Sequence, residues 1–392
     1  MANVKKRGNS YRIRVSCGYD VKGSQRYENM TWRIPEGMSE IKAEKEANRQ
    51  AVLFEEKCKN GFSTTSVKFE IFLDQWFNEI AKIKYKERSL DTYEGLSKRV
   101  RKEIGHLRLD KITTRDIQRM ISALIDGKRN DGKDGKISAK TVKQHVTLTS
   151  SVFEYAIKTQ LVSYNPCKNA TLPEHEKKER DIYSLDEASK FISLLSKETG
   201  QKFHLAVFLI LAVYTGFRRG ELLGLEWNDF SDGFSVVTVQ RAACYSKKLG
   251  YFTSTPKTKK SLRTLKLPKE IASLLKQYKV WQTEYAFSLG DKWQKTGRLF
   301  TSWDGSPMYT NAPEKFMKKF CDDVGLRVLN LHSLRHLNAS FLIHGGCDVK
   351  AVQVAMGHST PMTTLNIYTQ EFEEARVKVS EAMGNALQVK FG

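Results

Sequence analysis

The chain has 392 residues, of which 40% are hydrophobic, and carries 65 Lys and Arg against 44 Asp and Glu, a net charge of +21. That length favours two or three domains, and that apolar content excludes global disorder. The longest apolar run, Leu205 to Tyr214, is half of what a membrane span needs, and no charged-then-apolar leader opens the sequence, so a soluble, unsecreted protein with no membrane partner is expected. Six scattered cysteines without a C-x-x-C pair fit reduced thiols in a cytoplasm.

The charge excess is +5 over residues 1–65, +8 over 66–180 and +8 over 181–392. A basic tail would concentrate it at one end. An even spread instead suggests several folded modules that each meet a polyanion, with nucleic acid the leading partner and a merely basic soluble enzyme the alternative.

In chain order, Tyr11, Ile13 and Val15 alternate with Arg12, Arg14 and Ser16, which predicts a strand with one apolar and one basic face. A turn at Gly18 to Gly23, a second extended run from Gln25 to Trp32, and the helical spacing of Ala43, Ala47, Ala51 and Phe54 make residues 1–62 a small sheet backed by one helix. Such a sheet can lay arginines, Arg26 among them, in a DNA groove, although an ordinary half-solvated sheet face reads the same way. From Val67 the pattern is purely helical. Phe69, Phe72, Leu73, Trp76, Phe77 and Ile80 form a core stripe, and further helices are predicted at Ser89 to Glu103, Thr114 to Asp126 and Ser138 to Thr159. Lys136, Lys140 and Lys143 give that domain, residues 66–165, a basic edge. Residues 163–180 lack periodicity and contain Asn165-Pro166, Pro173 and a charge run, so an interdomain linker is expected there, at 166–181. The remainder, 182–392, opens with helices, passes through extended segments near Ser235 to Arg241 and Leu262 to Leu267, and returns to helices, an α+β order.

The usual equipment for phosphodiester chemistry is missing from the pattern. Acidic residues are dispersed rather than clustered around a metal pair, and no G-x-x-x-x-G-K-[ST] loop is present. His332 and His336 stand at the spacing of helical zinc ligands, but the glutamate of H-E-x-x-H is absent and Arg335 would sit beside the cation. The last domain offers cations and one nucleophile instead. Thr215-Gly216-Phe217-Arg218-Arg219-Gly220-Glu221-Leu222 ends one helix and begins the next turn, a place suited to an anion. Lys257, Lys259 and Lys260 stand at a hairpin-like tip between extended segments. His332-Ser333-Leu334-Arg335-His336 puts His332 and Arg335 three apart on a helix, and Met356-Gly357-His358 closes another, with Tyr368 ten residues further on. Singly, each of these has a structural explanation: a solvated helix end, a charged turn, a cap, a core-edge aromatic. Their order and company point elsewhere.

Taken together, these motifs resemble the tyrosine recombinases, or phage integrase family, over nearly the whole chain. The family pattern of T-G-x-R-x-x-E-L, a K-T lysine on a β-hairpin, H-x-L-R-H, L/M-G-H and a tyrosine about ten residues later is matched by Thr215 to Leu222, Lys257-Thr258, His332 to His336, Met356 to His358 and Tyr368. The resemblance implies the tyrosine recombinase fold, a multidomain α+β chain. It has an arm-type DNA-binding domain of a three-stranded sheet plus helix, as in phage and conjugative-transposon integrases, an all-α, SAM-like core-binding domain, and a mainly α catalytic domain with a small antiparallel sheet.

It also implies roles. Tyr368 would attack a DNA phosphate, Arg218 and Arg335 would hold its oxygens, Lys257 would be the general acid, His332 and His358 would assist at the phosphate or tyrosine, and Glu221 would support Arg218. Arg219, Lys259 or Lys260, and His336 remain alternatives to Arg218, Lys257 and His332. No metal or nucleotide cofactor is called for. Implied partners are double-stranded DNA at core and arm attachment sites, three further copies of the chain in a tetramer on DNA, and accessory excisionase and DNA-bending proteins. The apolar spacing of Val377, Met383 and Leu387 suggests a tail exchanged between protomers or folded back on its own domain. The expected location is a bacterial cytoplasm, at the nucleoid. A type IB topoisomerase-like relaxing enzyme and a non-catalytic DNA-binding protein are the rival readings; a strand-exchange assay on two cognate sites would separate the first, and the intact residue set argues against the second.

Overall fold

The computed structural model describes residues 2–19, 25–59, 67–129, 135–174, 181–254 and 262–357. The chain divides into two compact units, Met1–Glu176 and Lys177–Gly392.

The first unit begins with a three-stranded antiparallel sheet of β1 (Asn3–Arg7), β2 (Ser10–Tyr19) and β3 (Gln25–Arg33) in the order β1-β2-β3. Alternation buries Tyr11, Ile13 and Val15 on one face of β2 and leaves Arg12, Arg14 and Ser16 exposed on the other. α1 (Glu40–Lys59) covers the apolar face. Its buried stripe is Ala43, Ala47, Ala51 and Phe54, and the three alanines let the helix axis lie close to the strands. The strand β1 had no signal of its own in the pattern, because Val4 is its one apolar residue.

The same unit continues with α2 (Phe69–Trp76), a π-helical turn at Phe77–Ala81, α3 (Lys82–Lys84), α4 (Glu87–Ile104), α5 (Thr114–Asp126) and α6 (Ala139–Lys158). α5 starts at a capping box in which Thr113 and Asp116 bond reciprocally, and α6 starts at the Ser138 side chain. Phe69, Leu73, Trp76, Val100, Ile117, Met120, Val142, Val152 and Phe153 form one apolar core. Residues 163–172 are not a free linker. Asn165 is buried, its amide donates to the Ser150 carbonyl, Ser150 Oγ and Glu154 Oε1, and the Thr171 N–H donates to Gln118 Oε1 at 3.0 Å. Polar contacts of this kind leave no periodicity, which is why the segment reads as a linker.

The second unit is built around α8 (Phe203–Thr215). Nine consecutive or near-consecutive residues of α8 are buried, because the helix is apolar all round, and it is surrounded by α7 (Leu185–Leu195), α10 (Lys269–Leu289), α11 (Ala312–Val324) and α12 (Leu331–His344). Short α9 (Arg219–Leu223) follows α8, and α13 (Val349–Met356) follows α12. β4 (Val236–Val239) pairs antiparallel with β7 (Arg263–Lys266), and β5 (Ala242–Ser246) pairs with β6 (Gly250–Ser254). The segments flanking Lys257 are therefore strands, as expected, but β6 and β7 pair with β5 and β4 rather than with each other. No helix among the described residues is long and apolar enough to cross a membrane.

Candidate active site

Among the helices of the second unit that end in a glycine with left-handed backbone are α8, at Gly216 (φ 58°), and α13, at Gly357 (φ 63°). Both positions require glycine. A Cβ on Gly216 would lie 2.6 Å from Asn338 Oδ1 and 2.8 Å from Met356 Sδ, and one on Gly357 would press to 3.1 Å of Arg263 Nη1. The bare backbone lets the two helix ends approach the same set of side chains.

Helix C-termini leave carbonyls without intrahelical partners. At α13 three successive carbonyls are each met by a different guanidinium. Arg263 Nε donates to Ala355 O at 2.8 Å, Arg335 Nη2 donates to Met356 O, and Arg218 Nη2 donates to Gly357 O at 3.0 Å. Arg335 also donates through Nη1 to Gly216 O, so one side chain ties the ends of α8 and α13 together. Asn338, one turn along α12 from Arg335, donates to Val213 O and Tyr214 O at 2.8 and 3.0 Å and satisfies the last turn of α8.

Glu221 lies beneath this cluster, 5% exposed. It accepts from the Arg218 backbone N–H at 2.9 Å, from Arg218 Nη1 at 2.8 Å and from Arg263 Nη2 at 2.8 Å. Burial alone would push the carboxyl up, but the Arg263 hydrogen bond and charge, aided by Arg218, hold it down at about 2. Arg335 is 2% exposed. Burial, joined by the charges of Arg218 and Arg263 against the opposing Glu221, lowers its guanidinium to about 9, far below the ordinary arginine range. Among the described residues, three guanidiniums thus share one carboxylate. An anion entering beside Arg335 would relieve desolvation and repulsion at once.

Arg218, with a 40% exposed side chain, is the member of the cluster open to solvent. Its neighbour Arg219, the alternative that the sequence left open, pairs with Glu314 of α11 at 3.0 Å. His332 is exposed, and its ring meets that of His336 edge-on at a centroid distance of 4.7 Å. Both line a cavity of about 310 Å³ with Asp181, Asn330 and Ser333. His332 and Arg335, three residues apart, accordingly differ in exposure. Lys257, with its alternatives Lys259 and Lys260, and His358, Tyr368 and the tail stripe all lie outside the described residues.

The phage integrase family model matches residues 183–375, and a model of the phage integrase N-terminal SAM-like domain matches residues 68–125. The chain belongs to the phage integrase family. It is 27% identical over 272 residues to the ICEBs1 integrase of Bacillus subtilis (strain 168), covering 69% of this chain and 73% of that one. It is 28% identical over 402 residues to a XerC-like tyrosine recombinase of Caldanaerobacter subterraneus, covering 97% of both. Among solved structures, the Tn1549 transposon integrase in complex with transposon right end DNA shares the fold at a TM-score of 0.65 with 19% identity, over 80% of this chain and 99% of that one. The tyrosine recombinase fold, helix-dominated with small antiparallel sheets, is thereby shown for this family member.

Outside the catalytic unit, the family member presents the basic residues singled out in the sequence on exposed surfaces. Arg12 and Arg14 stand on the open face of β2. Arg14 stacks 3.6 Å over the Tyr27 ring and Arg12 Nη2 donates to Asn29 Oδ1 at 3.3 Å, so β3 pre-orients both. The Arg26 side chain lies outside the described residues. Lys136, Lys140 and Lys143 are exposed at the start of α6, where Lys136 meets Asp126 at 3.1 Å. Two site residues had escaped the sequence reading, Arg263 and Asn338. A signal for Arg263 existed: it shares a strand face with Leu265 and Leu267, so alternation places a charge on the buried side.

Proposed function

We propose that this chain is a site-specific tyrosine recombinase that cuts and rejoins DNA to integrate and excise a mobile element, a conjugative transposon or prophage. The observation that supports it most directly is the arginine cluster at the ends of α8 and α13. It contains a solvent-reaching guanidinium, Arg218, and a desolvated one, Arg335, with a single carboxylate, Glu221, acting between them.

In the proposed chemistry the phenolic oxygen of Tyr368 forms a bond to a DNA phosphorus and the bond to the 5′-oxygen breaks, leaving a 3′-phosphotyrosine. The phenolic proton passes to His332 or solvent, and Lys257 donates a proton to the departing 5′-oxygen. Arg218 and Arg335 hold the non-bridging oxygens as charge builds, with His358 hydrogen-bonding the phosphate. Attack by the 5′-hydroxyl of a partner strand reverses these steps and frees the tyrosine. The bond energy stays in the phosphotyrosine, so the cycle needs neither ATP nor a metal ion.

Two duplexes must each be cut on both strands, so four protomers assemble on two core sites. Residues 66–165 and the catalytic unit grip core DNA, the β1–β3 sheet reads separate arm sites, and the tail docks on the neighbouring protomer. An excisionase and a bending protein bias the direction of reaction. The test is a nicked duplex carrying the element's own flanking sequence. Wild-type protein should form a detergent-stable covalent adduct and Tyr368→Phe none. An adduct with the Phe variant would remove Tyr368 from its role, and no adduct with wild type would overturn the recombinase reading.

A further inference from the structure

We propose that Arg263 is a positioning residue of the recombination reaction, aiming Arg218 through Glu221 and fixing the end of α13 through the Ala355 carbonyl; this rests on the recombinase reading above. Three observations carry it. First, the Arg263 side chain is 5% exposed, and its guanidinium lies 4.7 Å over the Phe217 ring. A group so enclosed does not reach a duplex. Second, it bonds both elements that hold Arg218: Glu221, whose other oxygen receives Arg218 Nη1, and α13, whose next-but-one carbonyl receives Arg218 Nη2. Third, its fork geometry matters. Nε serves α13 and Nη2 serves Glu221, two donors held in one plane, which a lysine ammonium cannot reproduce.

Buried charge makes the site sensitive to this one residue. Without Arg263, the cationic neighbours of Glu221 among the described residues are Arg218, at the cap of α9, and Arg335 from α12, while burial continues to favour the protonated carboxyl. A protonated Glu221 no longer anchors Arg218 as an ion pair. The loss is therefore expected in the chemical step rather than in DNA affinity, on the scale of about 10- to 100-fold that supporting partners of a reactive group command.

The experiment compares full-length wild type, R263M, R263K and the double variant R263M/E221Q on the nicked duplex with the element's flanking sequence, measuring affinity and single-turnover adduct formation between pH 5 and 9. The expected result is near-wild-type affinity for R263M, a rate loss of about 10- to 100-fold, and a new acid limb as Glu221, without Arg263 to hold it down, titrates at higher pH than in wild type. R263K should recover part of the rate, and the double variant should lack the acid limb because Gln does not titrate. Wild-type rates in R263M would overturn the proposal alone. So would affinity and rate falling in parallel in R263K and R263M/E221Q, which marks a general structural role. A wild-type protein that forms no adduct would instead sink the recombinase reading on which the proposal rests.

Discussion

Replacing Glu221 by Gln keeps volume and an oxygen acceptor but removes the one negative charge among three guanidiniums. The carboxyl is depressed from 4.5 to about 2 in the folded protein, a difference worth about 3 kcal/mol. Because the folded-state value lies below the unfolded one, this stabilisation is complete above pH 4.5 and is lost as pH falls through about 2. Roughly half of it is gone by pH 3. The Gln variant should therefore be less stable than wild type by about 3 kcal/mol at pH 7, and the gap should narrow on acidification. Urea unfolding followed by amide exchange in α8 reads the right unit, since that helix lies at the core of residues 177–392 and unfolds with it. Equal stability of the two proteins at pH 7, or a gap that stays constant down to pH 3, would refute the claim that Glu221 balances the cluster.

Two other outcomes follow from the same geometry. Arg218→Ala or Arg335→Ala should lower single-turnover cleavage by about 3 kcal/mol or more with little change in core-site affinity; affinity falling as steeply as rate would make these arginines simple binding contacts. Deleting residues 1–62 should leave core-site cleavage intact and abolish arm-site binding, and in the intact chain arm-site binding should weaken steeply with salt, measured by titration across ionic strengths. Arm-site binding that survives the deletion would leave the β1–β3 sheet a structural role.

The elements that sequence revealed are those with a period. Alternation in β2 and the three-to-four spacing of α2, α5 and α6 bury the residues that pattern predicts, Ile13 and Val15 in the sheet and Ile117, Met120, Val142 and Val152 in the helices. Aperiodic structure stayed hidden. Asn165 and Thr171 hold residues 163–172 against α5 and α6 by polar bonds, and a chain held that way has the composition of a linker. The β5–β6 ladder also went unseen, because its burial is intermediate along nearly its whole length and no alternation marks it.

Within the site, Arg218, Glu221 and Arg335 could be picked from their motifs because each sits at a recognisable helix start or helix interior. What motifs could not convey is that the arginines compete for the same acceptors. Ala355, Met356 and Gly357 look like an unremarkable helix end in the sequence, yet their carbonyls collect Arg263, Arg335 and Arg218 in turn. That convergence depends on α8, α9, β7, α12 and α13 meeting at one point, and such a point has no image in a one-dimensional pattern. It does have an energetic signature, since burying Arg335 costs far more than a solvated arginine would. The cost is tolerable because helix-end carbonyls and one carboxylate share the three charges. Among the described residues that leaves three positive charges to one negative, an imbalance that suits the phosphate of the proposed reaction.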